Sequence, residues 1–386
     1  MGWWKTGCVL TGVRGIGTAW ASGLSVVHGR HCLWISRRFL MMNDTIGEYK
    51  ENFIVANPTM SALFSRLESV GIPIGFARGA LPSWWSDEIS DSPSGLQQAQ
   101  LYLARAFNLD VKELTSTGVV KFRNAQPKYK LSKGVAESDV LVSAQYATAM
   151  AKLALAGIER PQSAVLSDPV ELRKACLKYG SSVDLKSLLS YCYDIGLPIL
   201  HIENLPSLKM YGLVVRNANR YAIVISRKGY ASEILFWLAH EIGHIACGHL
   251  QVDGFVADEK INSVAHDADE QQADDFAIWL LNGRSNAQYS HGKYALTAEK
   301  LAAAAEQKSR TTEVDPGHIA LNYAHGMNRH ALGKAALKLL PHQTGAERTI
   351  NDYLFKAFGA GRLSEDQLEL LAHACQIPVP DSLIGF

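Results

Sequence analysis

Features that are scarce in this sequence exclude several classes of protein. Only six of the 386 residues are cysteine. They show no paired spacing and stand at Cys8, Cys32, Cys176, Cys192, Cys247 and Cys375. This pattern argues against a disulfide framework and against a cysteine-ligated zinc site, and it predicts reduced thiols and a cytoplasmic location. No apolar run reaches the roughly 18 residues that a membrane helix needs, so we expect no membrane partner. The net charge of +1 gives no bulk attraction to nucleic acid.

Residues 1–43 contain no acidic residue, and the first acid of the chain is Asp44. The same segment carries Lys5 and four arginines, and it holds four of the eight tryptophans. Arg14 interrupts its only candidate apolar core, which is not typical of a secretory signal. We therefore expect a basic leader that is not part of the native protein, with the natural start at Met41 or Met42.

The chain does contain a short motif with a specific chemistry, His240-Glu241-Ile242-Gly243-His244, inside a strongly apolar segment. On a helix, residues four apart lie on one face, so both imidazoles point the same way. This is the spacing by which two histidines hold one zinc ion, with the intervening glutamate beside a zinc-bound water. Burial of three ionisable groups on an apolar helix costs free energy, which indicates that these groups have a function. The alternative is a core helix with two hydrogen-bonded histidines.

The residues before the motif predict a strand, a turn and a helix start. Tyr221 to Ser226 is rich in β-branched residues and predicts a strand, whose edge could pair with an extended peptide. Arg227 to Tyr230 then predicts a turn, and Ser232 is the expected N-cap of the helix.

A third ligand is needed, because a catalytic zinc normally has three protein ligands and a water. The segment from Asp267 to Leu281 predicts a helix with Ala273 on its inward face and Glu270 one turn earlier. Glu270 is therefore the favoured ligand, and Asp274 is placed to orient a ligand histidine. Taken alone, both acids also fit the solvated first turn of a helix.

Two histidines compete with Glu270. The extended metzincin pattern requires glycine three residues and histidine six residues after the second motif histidine, where this chain has Cys247 and Leu250. His249 is therefore expected to end the helix, with its positive charge at the carbonyl end of the dipole. His266 remains a less favoured ligand.

These residues resemble the ImmA/IrrE-type zinc peptidases over roughly residues 165 to 285. The resemblance rests on Leu238 to His244, Gly248-His249, Glu270 with Ala273, and the Phe276-Ala277 and Leu280-Leu281 pairs, and upstream on Gly196 to His201 with Leu205-Pro206. It implies that His240, His244 and Glu270 bind Zn²⁺ and that Glu241 is the general base. It also implies a protein substrate, an Xre-type repressor or an antitoxin, in a stress, phage or mobile-element system.

The predicted fold class is α+β, mainly helical. A small zincin-like core, with a short sheet packed on the motif helix, is expected between helical regions. The predicted divisions are the leader 1–43, a helical N-terminal domain 44–130, the peptidase domain 131–285 and a C-terminal helical region 286–386. Within the N-terminal domain, Leu103 to Leu114 resembles the latter half of an Xre-type helix-turn-helix. Without a recognisable first half or a basic stripe, direct DNA binding is the weaker interpretation.

The sequence favours a zinc endopeptidase and leaves two alternative functions open. One is a peptidase-like toxin of a toxin–antitoxin pair, and the other is a regulator that binds a repressor without cutting it. A peptidase also needs a donor for the oxyanion that forms during attack. His291, Tyr294, Tyr323 and His325 are the candidates, and the sequence does not choose among them.

Overall fold

The structure is a computed structural model that describes residues 59–384. Within that range it leaves out residues 117, 124–125, 131–135, 209, 259–267 and 291–295. All described residues belong to one compact unit that spans residues 56–386. The predicted leader and residues 44–58 of the predicted N-terminal domain lie outside the described residues.

Helices make up most of the described chain, in agreement with the predicted mainly helical α+β class. The α-helices are α1 Met60–Glu68, α2 Ile74–Gly79, α3 Pro93–Ala106, α4 Val111–Thr115, α5 Glu137–Gly157, α6 Pro169–Cys176, α7 Leu185–Asp194, α8 Ala231–Ala246, α9 Ala268–Asn282, α10 Ala298–Thr312, α11 Pro316–Gly326, α12 His330–Leu337, α13 Ala346–Lys356 and α14 Glu365–Cys375. The strands are β1 Gln126–Lys130, β2 Ile199–His201, β3 Gly212–Asn217, β4 Arg220–Ile225 and β5 Gly254–Asp258.

The five strands form one mixed sheet in the order β1-β5-β3-β4-β2. β3 is antiparallel to both β4 and β5, whereas β1 runs parallel to β5 and β2 runs parallel to β4. The strand predicted at Tyr221 to Ser226 is confirmed as β4. The prediction that its edge could pair with a peptide is wrong, because β3 and β2 already pair with its two edges.

Each face of the sheet packs against a different hydrophobic cluster, because side chains alternate along a strand. Leu213 and Val224 join the cluster that contains α5, whereas Val214 and Ile223 join the cluster that contains α8. The sheet therefore lies between α5 on one face and the motif helix α8 on the other.

The α5 face also receives helices from both ends of the described chain. Leu67 of α1, Leu103 of α3 and Leu371 of α14 are all buried in this one cluster. The segment that resembles a helix-turn-helix contributes Leu109 and Leu114 to the same core. This part of the chain therefore packs through its apolar side chains into the core that contains α5.

One helix of the described residues, α5, is long and apolar enough to cross a membrane by length and composition. Of its most apolar stretch, 83% is buried inside the protein. Its apolar character is accounted for by burial between the sheet and the terminal helices.

Candidate metal centre

The motif lies on α8, as the sequence predicts, but the helix does not begin as predicted. The first helical residue is Ala231, and the Glu233 carboxylate accepts a hydrogen bond from the backbone N–H of Tyr230 at 3.0 Å. The predicted N-cap Ser232 lies inside the helix. Its hydroxyl instead contacts the Asp315 carboxylate at 2.5 Å and the Gln343 side-chain oxygen at 3.0 Å. The local sequence could not show this, because both partners come from more than 80 residues away.

The apolar face of α8 that packs against the sheet determines the direction in which the two histidines point. Leu235, Leu238 and Ile242 are fully buried in the cluster against the sheet. His240 and His244 lie on a neighbouring face that packs against α9. Gly243 permits this packing, because an added Cβ would come within 2.9 Å of the Ala273 carbonyl oxygen. The small residues Gly243 and Ala273 therefore set the short distance between the two helices.

Three of the predicted ligands come together at this helix contact. The Nε2 atoms of His240 and His244 are 3.1 Å apart. The two Glu270 carboxylate oxygens lie 3.4 Å from these nitrogens, one from each. All three residues are buried, and together they form a group that could hold a metal ion.

Each histidine is oriented through its other ring nitrogen. The Nδ1 of His240 donates to the Asp274 carboxylate at 2.8 Å, so the Nε2 lone pair faces the site. The Nδ1 of His244 lies 2.7 Å from the Nδ1 of His249. Such outer contacts fix the tautomer and ring orientation of a metal ligand.

The position of His249 corrects the sequence prediction for that residue. α8 already ends at Ala246, with Cys247 as its C-cap. His249 follows the helix end, where its backbone N–H donates to the His244 carbonyl, but its ring is buried against the ring of His244. The competing ligand His266 lies outside the described residues.

Glu241 is fully buried and lies against β3. A Cβ on Gly212, the first residue of β3, would overlap the Glu241 carboxylate. Gly212 therefore provides the space that this carboxylate occupies. The sequence analysis missed this role, although a glycine in a strand is often the mark of a close approach.

Of the four oxyanion candidates, the structure describes Tyr323 and His325. His291 and Tyr294 lie outside the described residues. The Tyr323 hydroxyl accepts the backbone N–H of Leu296 at 3.1 Å, and its ring is buried in the α10–α11 core. His325 lies near His330, with ring centroids 5.6 Å apart, in a cavity of about 330 Å³ that Asp274 also lines.

Arg173 holds the far end of α9 in place. Its guanidinium donates to the carbonyl oxygens of Leu280 and Leu281 at the end of α9, and to those of Thr312 and Glu313 at the end of α10. These carbonyls lack partners within their own helices, and a cation there is favoured by the helix dipoles. Arg173 therefore supports the helix that carries Glu270.

Comparison with known proteins gave no matching family model, no matching curated protein and no matching solved structure. The resemblance to ImmA/IrrE-type peptidases therefore depends on the quoted residues alone.

Proposed function

We propose that the protein is a zinc-dependent endopeptidase that cleaves a protein partner. The observation that carries the proposal is the buried group of His240, His244 and Glu270, with Glu241 on the same helix as the two histidines. We propose that α8, α9 and the sheet form a zincin-like core.

The donor set and its spacing both support zinc. Two imidazole nitrogens and one carboxylate are a ligand set that catalytic zinc sites use. Zinc bonds of about 2.0–2.1 Å in tetrahedral geometry place neighbouring ligand atoms about 3.3–3.4 Å apart. The separations of 3.1, 3.4 and 3.4 Å between the ligand atoms are close to that value. Magnesium and calcium sites use oxygen donors instead.

The chain's own residues divide the remaining work. When their Nδ1 atoms carry the proton, the two imidazoles are neutral metal ligands that bind through Nε2. Glu270 adds one negative charge to the ligand set. Zinc, when bound, supplies Lewis acidity toward a water and a peptide carbonyl. Glu241 provides a carboxylate that accepts a proton, and the packing against Gly212 holds it in position.

The substrate and the compartment are proposed on separate grounds. The resemblance to ImmA/IrrE-type peptidases supports an Xre-type repressor or an antitoxin as the partner protein. The cytoplasmic location is supported by Cys176, Cys192, Cys247 and Cys375, which are free thiols in the described part of the chain.

Cleavage of a candidate repressor tests the proposal. The zinc-loaded protein should cut the Xre-type repressor of a neighbouring gene, whereas Glu241→Gln should retain the metal and fold but not cut. Glu233→Gln is the matched control, because Glu233 lies on the same helix, two turns before His240, where it caps the first turn and pairs with Lys334. Binding without cleavage by wild type would favour the non-cleaving regulator. Growth arrest that the neighbouring gene relieves would favour the toxin.

A further inference from the structure

His249 reaches His244 through the way in which α8 ends. The backbone N–H of Gly248 donates to the Ile245 carbonyl at 3.1 Å, and that of His249 donates to the His244 carbonyl at 3.0 Å. This pair of bonds closes a helix in a Schellman motif, which needs a left-handed residue just beyond the C-cap. Gly248 has a φ of +75° and fills that position. The motif places the residue after the glycine beside the residue five positions earlier, which here brings one imidazole onto another.

The side chain of Gln272 indicates the direction of the hydrogen bonds that His249 makes. The Nε2 of His249 is 3.2 Å from the side-chain carbonyl oxygen of Gln272, which can only accept. His249 therefore carries a proton on Nε2, and in the neutral ring its Nδ1 presents a lone pair. Because the two Nδ1 atoms are 2.7 Å apart, His244 must donate the shared proton. The Nε2 of His244 is then left as a lone pair that faces His240 and Glu270.

We propose that His249 is a positioning residue for the metal centre, which holds His244 in the tautomer and orientation that a metal ligand requires. The inference rests on the proposed metal-binding function of His244. The two ligands are thus oriented by acceptors of different charge. Asp274 accepts from His240 as a carboxylate, whereas His249 accepts from His244 as a neutral ring.

The surroundings of His249 fit this role. The ring is buried, with 5% of its side chain exposed. The Asp269 carboxylate lies 3.8 Å from Nε2, beyond hydrogen-bond distance but on the side that carries the proton. A proton on Nε2 is thus favoured by both Gln272 and Asp269, and Nδ1 is the nitrogen that faces His244.

Zinc affinity, measured by competition with a chelator, tests the inference. His249→Leu should bind zinc about 10- to 100-fold more weakly than wild type, as is typical when an orienting partner is lost. His249→Asn should recover part of the affinity, because its amide oxygen can take the place of Nδ1. His373→Leu, on an exposed histidine of α14, is the matched control and should bind as wild type does.

Two further measurements separate positioning from folding. The visible absorption of the Co²⁺-substituted protein should change in His249→Leu and move back toward wild type in His249→Asn, while the metal-free melting temperatures of the two variants stay equal. Gln272→Leu, at an exposed helix position, should weaken zinc binding by a smaller factor than His249→Leu.

The outcomes distinguish this inference from the proposed function. If His249→Leu binds zinc within twofold of His373→Leu, or if His249→Asn and His249→Leu lose affinity equally, His249 does not position His244. If wild type binds no zinc, or still binds it after His240→Ala, the metal centre fails and the inference fails with it.

Discussion

Gly243 of α8 and Ala273 of α9 lie so close that a Cβ on Gly243 would be 3.0 Å from the Ala273 Cα and 2.9 Å from its carbonyl oxygen. Backbone atoms cannot yield as the end of a flexible side chain can. The spacing of the two helices, and hence the reach of Glu270 to the two histidines, depends on this contact.

Gly243→Ala should therefore push α9 away from α8 and weaken both zinc binding and stability. Gly75→Ala is a matched control, because Gly75 is also helical and its added Cβ would meet nothing within 4 Å. The control should be neutral or stabilising by up to about 1 kcal/mol through helix propensity. Chelator competition and urea unfolding measure both effects. Wild-type zinc affinity in Gly243→Ala would show that the contact does not set the site.

The two acids Glu270 and Asp274 on α9 should contribute unequally to zinc affinity, because only Glu270 is a proposed ligand. Purified protein should contain about one zinc per chain, and His240→Ala or His244→Ala should abolish binding. Glu270→Ala should lose far more affinity than Asp274→Ala, because a direct ligand contributes more than the residue that orients one. Elemental analysis and chelator titration check the order. Retention of zinc by Glu270→Ala but not by His266→Ala would indicate a three-histidine site instead.

Gly212 and Glu241 should be energetically coupled, because the carboxylate occupies the space of the missing Cβ. Gly212→Ala should lower stability and abolish cleavage while zinc remains bound. In a Glu241→Ala background the space is free, so the same glycine substitution should cost much less stability. A double-mutant cycle measured by urea unfolding gives this coupling. Equal costs in the two backgrounds would mean that the two residues do not compete for the same space.

Arg173 should be a strong determinant of stability although it lies away from the ligands. Arg173→Ala removes a donor from four helix-end carbonyls, of which only that of Glu313 also accepts the Val183 backbone N–H among the described residues, and we expect a loss of about 3 kcal/mol or more. Lys174→Ala is the matched control, since Lys174 is exposed and pairs only with Glu171. It should change stability by less than about 0.5 kcal/mol. Urea unfolding of the two variants should separate them clearly, and similar values would contradict the role of Arg173.

Two buried groups at the start of α11 should give opposite pH dependences of stability. Burial lowers the pKa of His318 from 6.5 to about 4, with the Arg173 charge adding to the shift. Stability from a neutral His318 is thus present above pH 6.5 and is lost as the pH falls toward 4. Burial raises the pKa of Asp315 from 3.8 to about 6. The protonated Asp315 side chain therefore contributes most to the stability of the fold below pH 3.8, and this contribution is lost as the pH rises through 6.

The variants His318→Gln and Asp315→Asn test these directions, because each keeps a hydrogen-bond acceptor. Urea midpoints should be compared at pH 4.5 and pH 7. Relative to wild type, His318→Gln should reduce the loss of stability at the lower pH, and Asp315→Asn should increase it. A shift in the same direction for both variants would show that burial does not control these two groups.

The local features of this protein follow directly from its sequence. The apolar pattern around His240 and His244 predicts a helix with both rings on one face, and the β-branched run before it predicts β4. Asp168 and Pro169 likewise predict the start of α6, where the structure has Asp168 as N-cap. Gly248 also allows the turn that brings His249 onto His244, a local signal that the sequence analysis did not use. Such features depend on residues a few positions apart.

Contacts between distant parts of the chain follow only from the three-dimensional packing. The sequence could not show that β2 and β3 enclose β4, that Ser232 binds Asp315, or that Gly212 makes room for Glu241. The pattern from His318 to Leu340 predicts helical structure, and the structure divides this stretch into α11 and α12 at Asn328, which has a φ of +52°. The approach of Glu270 to the histidines depends on the packing of α9 on α8. That packing is set by the backbone contact at Gly243 and by Arg173 at the helix ends, and neither is encoded in the spacing of residues along the chain.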